Sequence, residues 1–109
     1  MSTPTRRRRA LLLGVGLIGG SIGLALKERG WEVLGRDASS ATLDAALDLG
    51  VIDAVAPPGP IDAIDITFVA TPVGAIAEGV RLALADTTGV VTDVGSVKTP
   101  LLDILDDPR

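Results

Sequence analysis

The sequence predicts an α/β fold, a doubly wound and mainly parallel sheet with helices on both faces, and three observations carry that prediction. Short aliphatic runs suited to buried strands recur at residues 10–13, 31–35, 64–70 and 89–94. Between them lie segments whose apolar residues recur at helical spacing. Hydrophobic residues make up 47 % of the chain but aromatics only 2 %, so the core must be built from Leu, Ile, Val and Ala. A chain of 109 residues suffices for one domain around a single core.

The chain opens on a basic run, Arg6 to Arg9, expected to form a solvated arm beside the first strand, with residues 1–5 disordered and the domain proper spanning 10–109. Four arginines before a mostly apolar stretch, residues 10–26, resemble the n- and h-regions of an export signal of the twin-arginine kind. The stretch contains five glycines, however, and ends in Lys27, Glu28 and Arg29 rather than a small-residue cleavage site. A membrane span would need about 20 apolar residues. A cytoplasmic protein with no membrane partner is the expectation.

Composition narrows the chemistry. The net charge is −4, yet four of the ten basic residues lie in Arg6 to Arg9, so the remaining six stand against fourteen acidic ones and the body carries −8. An acidic body argues against nucleic acid as a partner. The absence of cysteine excludes disulfides, thiolate catalysis and Cys-ligated zinc, and the chain has no histidine.

After the first strand, Gly14, Gly16 and Gly19 follow in the spacing G-x-G-x-x-G. A helical pattern comes next, with Ile18, Ile22, Ala25 and Leu26 on one face, closed by Gly30 in the C′ position. Residues 31–35 read as a second strand, with Asp37 just past its end and 18 residues after Gly19. Gly14 lets the chain turn tightly out of the strand, Gly16 lets a pyrophosphate approach the backbone, and Gly19 lets the helix pack on the strands. The helix start offers unpaired N–H groups and a positive dipole end to phosphates. Asp37 is placed to accept hydrogen bonds from ribose hydroxyls. Strand, glycines, helix and acid together form the dinucleotide fingerprint of a Rossmann-type fold. Both halves of such a fold usually need roughly 150 residues, so an incomplete one is expected.

Further along, Ser39 and Ser40 can cap a helix running to about residue 49, with Leu43, Ala46 and Leu47 on its inner face and Gly50 closing it. Asp44 and Asp48 lie four apart, a spacing seen in metal pairs, but without a third ligand they read as a solvated face, and no metal is expected. Residues 51–56 suit a short edge strand, and Pro57, Pro58, Gly59 and Pro60 force an irregular connection within the domain. The strand at 64–70 ends in Thr71-Pro72, where Pro72 can begin a helix reaching about residue 85. The strand at 89–94 exits through Gly95-Ser96-Val97-Lys98-Thr99, and residues 100–106 start a last short helix. In open α/β sheets ligands bind beyond the carboxyl ends of the strands. Gly14 to Gly19, Asp37, Thr71-Pro72 and Asp93 to Lys98 should therefore share one rim.

Two segments are more specific than a generic Rossmann signature. GVGLIGGSIGLALKERG (14–30) and VTDVGSVK (91–98), bracketing FVATPVGAI (68–76), closely resemble the prephenate and arogenate dehydrogenases of tyrosine biosynthesis. The resemblance covers nearly the whole chain after the arginines, and VTDVGSVK is its discriminating piece. It implies oxidative decarboxylation of a cyclohexadienyl substrate, prephenate or arogenate, with a ring hydride passing to nicotinamide C4. It also implies that Gly14, Gly16, Leu17, Ile18 and Gly19 cradle the pyrophosphate and Asp37 holds the adenosine ribose. Thr71 and Pro72 would flank the nicotinamide, and Ser96 would hydrogen-bond near the substrate hydroxyl and nicotinamide, with Lys98 on the same loop. Family members place a general-base histidine after this chain's last helix and homodimerise through a C-terminal helical domain. Neither is found in these 109 residues, so the expectation is an N-terminal cofactor-binding part that is inactive alone.

Asp37 favours NAD, because a carboxylate at the ribose repels a 2′-phosphate. Arg36 keeps NADP as the alternative, since a guanidinium there can pair with that phosphate. Neighbours on a strand point to opposite faces, which argues against both facing the ribose. Two other readings stay open at this stage: another NAD(P)-dependent reductase of the same fold, and a non-catalytic nucleotide-binding module.

Overall fold

The computed structural model of the chain describes residues 7–71 and 75–93. Strand β1 (Arg9–Leu13) is the axis of the molecule. Ala10 and Leu12 face one side and Leu11 and Leu13 the other, all buried, so both faces of this strand are covered. There follow α1 (Leu17–Glu28), β2 (Glu32–Arg36), α2 (Ser40–Asp48), β3 (Ala54–Val55), β4 (Ile66–Val69), α3 (Ile76–Asp86) and β5 (Val90–Asp93). Every strand pairing is parallel and the order across the sheet is β3-β2-β1-β4-β5. The chain steps outward from β1 to β3, then returns to β4 on the other flank of β1. Between β1 and β4 the winding reverses, and a crevice opens at the strands' carboxyl ends.

The strand pleat divides the core into two layers. Ala10, Leu12, Val33 and Phe68 pack with Ile22 and Leu26 of α1 and Ala46 of α2. Leu11, Leu13, Leu34 and Val69 pack with Ala83 of α3 on the opposite face. The core is aliphatic as composition requires, apart from two aromatics: Phe68, the single phenylalanine, is its largest fully buried side chain, and Trp31 is buried in the same cluster.

The helix stops lie where the sequence places them. Trp31 N–H donates to the Leu26 carbonyl (3.1 Å) and Gly30 N–H to that of Lys27 (3.0 Å), with Gly30 at φ 82°; Val51 and Gly50 (φ 73°) repeat the pattern on Ala46 and Leu47. Ser39 caps α2, its hydroxyl accepting from Thr42 N–H. Because the Trp31 amide closes α1, β2 begins one residue later than expected and reaches Arg36. The buried stripe of α1 is Gly19, Ile22, Gly23 and Leu26. Ile18, assigned to that stripe by its spacing, is 60 % exposed, since the first turn of α1 overhangs the strand ends; Leu47 of α2 is exposed as well.

The arginine run is not wholly a solvated arm. Arg9 is already strand, Arg7 donates to the Gly30 and Trp31 carbonyls (3.0 and 2.9 Å), and the Arg8 guanidinium lies 5.7 Å from the Trp31 ring centroid. Arg9 Nε stands 2.9 Å from the Glu32 carboxylate. Residues 1–5, expected to be disordered, and the expected helix at 100–106 lie outside the described residues.

At the amino ends of the strands, Asp53 joins β2 to α1. Its carboxylate accepts from Lys27 Nζ (2.5 Å) and Val33 N–H (2.8 Å). Burial would raise the carboxyl's pKa, but the Lys27 and Val33 hydrogen bonds and the charges of Lys27 and Arg7 outweigh it and hold it below the usual 3.8. Asp44 and Asp48 are exposed, and among the described residues no group of three or more His, Cys, Asp or Glu is placed to hold a metal. No described helix is long and apolar enough to cross a membrane.

Candidate functional site

The turn out of β1 is built around Gly14, which has φ 95°, a conformation that costs an L-residue strain. A Cβ at this position would lie 2.7 Å from the Ala70 carbonyl oxygen, so β4's exit packs directly on the glycine loop. Gly19 is equally closed, since a Cβ there would strike the carbonyl of Gly14. Gly16 is the opposite case: nothing lies within 4 Å of where its Cβ would stand. Gly16 is also the N-cap of α1 and provides no side-chain cap, so the first amides of the helix face open space. The three glycines thus differ physically, with two filled by the protein's own backbone and the middle one leaving room for a ligand. Leu17, 93 % exposed, and Ile18 flank that space.

Asp37 closes the site from β2. Its Oδ2 accepts from Val15 N–H (3.0 Å) and its Oδ1 from Ser39 N–H (2.9 Å), so one carboxylate ties the glycine loop to the start of α2. A carboxylate accepts about four hydrogen bonds, and the two left over suit vicinal hydroxyl donors.

A crevice of about 710 Å³ runs from these residues along the strand ends, lined by Leu13, Gly14, Asp37, Ala38 and Leu43 on one side and by Thr71, Ala75, Gly79 and Leu82 on the other. Val55, Ala56 and Pro58 form its far wall. Thr71 Oγ1 is buried and has no hydrogen-bond partner among the described residues. Glu78, also on the crevice, is paired with Arg81 (Nε to Oε2, 3.0 Å), and that hydrogen bond lowers its carboxyl from the usual range.

Of the residues singled out by sequence, Gly14, Asp37 and Thr71 line the crevice, while Gly16, Leu17, Ile18 and Gly19 follow Gly14 on the adjoining turn and first turn of α1 and are not among its lining residues. Arg36 also borders the crevice, but its guanidinium turns to the α3 side. Nε donates to Pro57 O (3.1 Å), Nη1 to Asp86 Oδ2 (3.2 Å) and Nη2 to the carbonyls of Pro57 and Gly59. Pro72, Ser96 and Lys98 lie outside the described residues. The sequence places an edge strand at 51–56, where β3 lies, and a breaker cluster at 57–60, but it does not show that Val55, Ala56 and Pro58 line the crevice; that follows from β3's position beside β2.

Comparison with known proteins decides the family. The model of the family "Prephenate dehydrogenase, nucleotide-binding domain" matches residues 22–107. The chain belongs to that family. Prephenate dehydrogenase of Bacillus subtilis (strain 168) is 39 % identical over 104 residues, taking in 88 % of this chain and 28 % of the relative. Arogenate dehydrogenase of Synechocystis matches with a TM-score of 0.70 at 28 % identity, over 84 % of this chain and 34 % of that one. The prephenate dehydrogenase of A. aeolicus, solved in complex with hydroxyphenyl propionate and NAD+, matches with a TM-score of 0.70 at 27 % identity, over 94 % of this chain and 38 % of that one. The chain thus spans less than two-fifths of the length of each of these relatives. The five-stranded parallel sheet is the Rossmann-type α/β architecture expected from the sequence.

Proposed function

We propose that this chain is the NAD-binding part of a prephenate- or arogenate-type dehydrogenase. The observation that carries the reading is the open space over Gly16 at the uncapped start of α1, bordered by glycines that the fold itself fills. In this reading the backbone at Gly14, Gly16, Leu17, Ile18 and Gly19 holds the pyrophosphate and Asp37 grips the adenosine ribose. The adenine lies against the apolar wall of Val55, Ala56 and Pro58. In the same reading Thr71, whose hydroxyl has no partner among the described residues, and Pro72 flank the nicotinamide side, and Ser96 hydrogen-bonds near the substrate, as the family resemblance implies. NAD, when bound, supplies the hydride acceptor for an oxidative decarboxylation, while this chain's residues bind and orient it.

The family resemblance assigns the general base to a histidine, which these 109 residues do not contain. General-base catalysis commonly contributes ~10²–10⁴-fold, so the chain alone is expected to bind cofactor without appreciable turnover. Homodimerisation and a cytoplasmic setting belong to the whole enzyme in this reading. The test is an equilibrium titration of the chain with NADH and with NADPH, followed by nucleotide fluorescence. Saturable binding, tighter for NADH, is expected. No saturable binding of either nucleotide to folded chain would refute the reading.

A further inference from the structure

The segment 57–60 reaches the crevice through Pro58, yet it has almost no means of holding itself in place. Pro57, Pro58 and Pro60 carry no N–H, so apart from Gly59 the segment offers only carbonyl acceptors, and a donor must come from elsewhere. Arg36 is that donor. It is the last residue of β2, and its guanidinium reaches the Pro57 and Gly59 carbonyls (2.6 Å to Gly59) while Nη1 rests on Asp86 at the end of α3. Both charged side chains are mostly buried, 19 % and 18 % exposed. Asp86 completes the fixture from its backbone, its carbonyl accepting from Ile61 N–H (2.9 Å). Three of the four bonds from the guanidinium go to the proline segment, and a planar fork of donors spans such acceptors where a single ammonium cannot.

We propose that Arg36 is a positioning residue for cofactor affinity: its guanidinium fastens the proline segment as a wall of the crevice and is thereby withheld from a 2′-phosphate. The inference rests on the dinucleotide reading above and goes past it, because it assigns the wall to one side chain and excludes that side chain as a receptor for the 2′-phosphate. A guanidinium held by three acceptors must break those bonds before it can meet a phosphate, so the 2′-phosphate of NADP meets the Asp37 carboxylate without compensation from Arg36.

The test compares the chain with its Arg36→Gln, Arg36→Lys and Asp86→Asn variants, measuring dissociation constants for NADH and NADPH and thermal melts for each. Loosening the wall should weaken both nucleotides in parallel, by about tenfold for Arg36→Gln, with their ratio unchanged. Arg36→Lys keeps the charge but loses the fork, and should resemble Arg36→Gln. Asp86→Asn, which stands off the crevice, should give a smaller parallel loss, and it keeps the test decisive if the Arg36 variants do not fold. A selective loss of NADPH binding in Arg36→Gln, restored by lysine, would identify a phosphate receptor and overturn the proposal. Unchanged affinity for both nucleotides in all three variants would overturn it too, whereas absence of binding in the unmodified chain would refute the dinucleotide reading and this inference together.

Discussion

Gly14 and Gly16 stand two residues apart in one motif, and the structure predicts opposite consequences for the same substitution. At Gly14 an alanine meets two penalties. The positive φ costs roughly 1–3 kcal/mol in a non-glycine residue, and the new Cβ would lie 2.7 Å from the Ala70 carbonyl oxygen, a backbone atom at the end of a buried strand. A loss of about 3 kcal/mol follows, which for a domain of this size lowers the melting temperature by roughly 10–25 °C. At Gly16 the Cβ meets nothing within 4 Å and φ is −73°. Reduced freedom of the unfolded chain favours alanine by about 0.4–1 kcal/mol, and loss of a good N-cap residue opposes it by a similar amount, so stability should stay within about 1 kcal/mol. Binding should show the reverse ranking of causes. The Gly16 methyl would occupy the space assigned to the pyrophosphate, and loss of one or two charge-assisted hydrogen bonds at about 1.5–3 kcal/mol each weakens NADH by tenfold or more. Circular-dichroism melts and NADH titrations on the two variants separate the effects. If Gly16→Ala melts as early as Gly14→Ala, the open space is not real; if it binds NADH as well as the unmodified chain, the phosphates lie elsewhere.

Three further outcomes follow from the same contacts. Asp37→Asn exchanges an acceptor-only group for one that also donates, and should weaken NADH by about tenfold while weakening NADPH less, so that the ratio of dissociation constants moves toward NADPH; an unchanged ratio would remove Asp37 from the ribose. Asp53 has a folded pKa below its usual 3.8, so its contribution to stability is complete above that value and is lost as the pH falls through the lower, folded pKa. Urea unfolding of the chain and of Asp53→Asn between about pH 6 and pH 3 should show a stability gap that narrows on acidification, and a constant gap would contradict the ion pair with Lys27. Thr67 is fully buried in β4 and its hydroxyl has no partner among the described residues, so Thr67→Val, which keeps the shape and removes the orphan group, should raise stability by about 1 kcal/mol in the same assay; destabilisation would mean the hydroxyl is satisfied.

The parts of this fold legible in the sequence are those whose causes are local. Gly30 and Gly50 end helices because only the adjacent turn decides whether a left-handed residue is needed there, and both have positive φ. Ser39 caps α2 through a contact three residues away. The distinct roles of Gly14, Gly16 and Gly19 follow from a short strand-turn-helix unit whose geometry is nearly self-contained. The misjudged residues depend on distant partners. Ile18 fits the helical period of the core face, but whether the first turn of α1 lies over the sheet or beyond it depends on where the strands stop. The arginine run looks like a free arm until the Gly30 and Trp31 carbonyls and the Glu32 carboxylate, more than twenty residues on, are set beside it. Arg36 finds Asp86 fifty residues later, and no local pattern announces that pairing.

The crevice is referenced to two adjacent residues at the end of one strand. Arg36 ends β2 and Asp37 follows it; the two side chains turn opposite ways, as neighbours on extended backbone do, and each fixes a different wall. Asp37 ties the glycine loop at Val15 to the start of α2 at Ser39, while Arg36 ties the proline segment to the end of α3. The backbone between them takes part as well, since the Arg36 carbonyl accepts from Gly14 N–H (2.7 Å). Strand β2, paired along its length with β1, is held by main-chain bonds that neither side chain supplies. A substitution at Arg36 or Asp37 therefore loosens one wall and leaves the other in register. The acid can be read from its effect on the sugar and the arginine from its effect on the whole nucleotide, even though the two are neighbours in sequence.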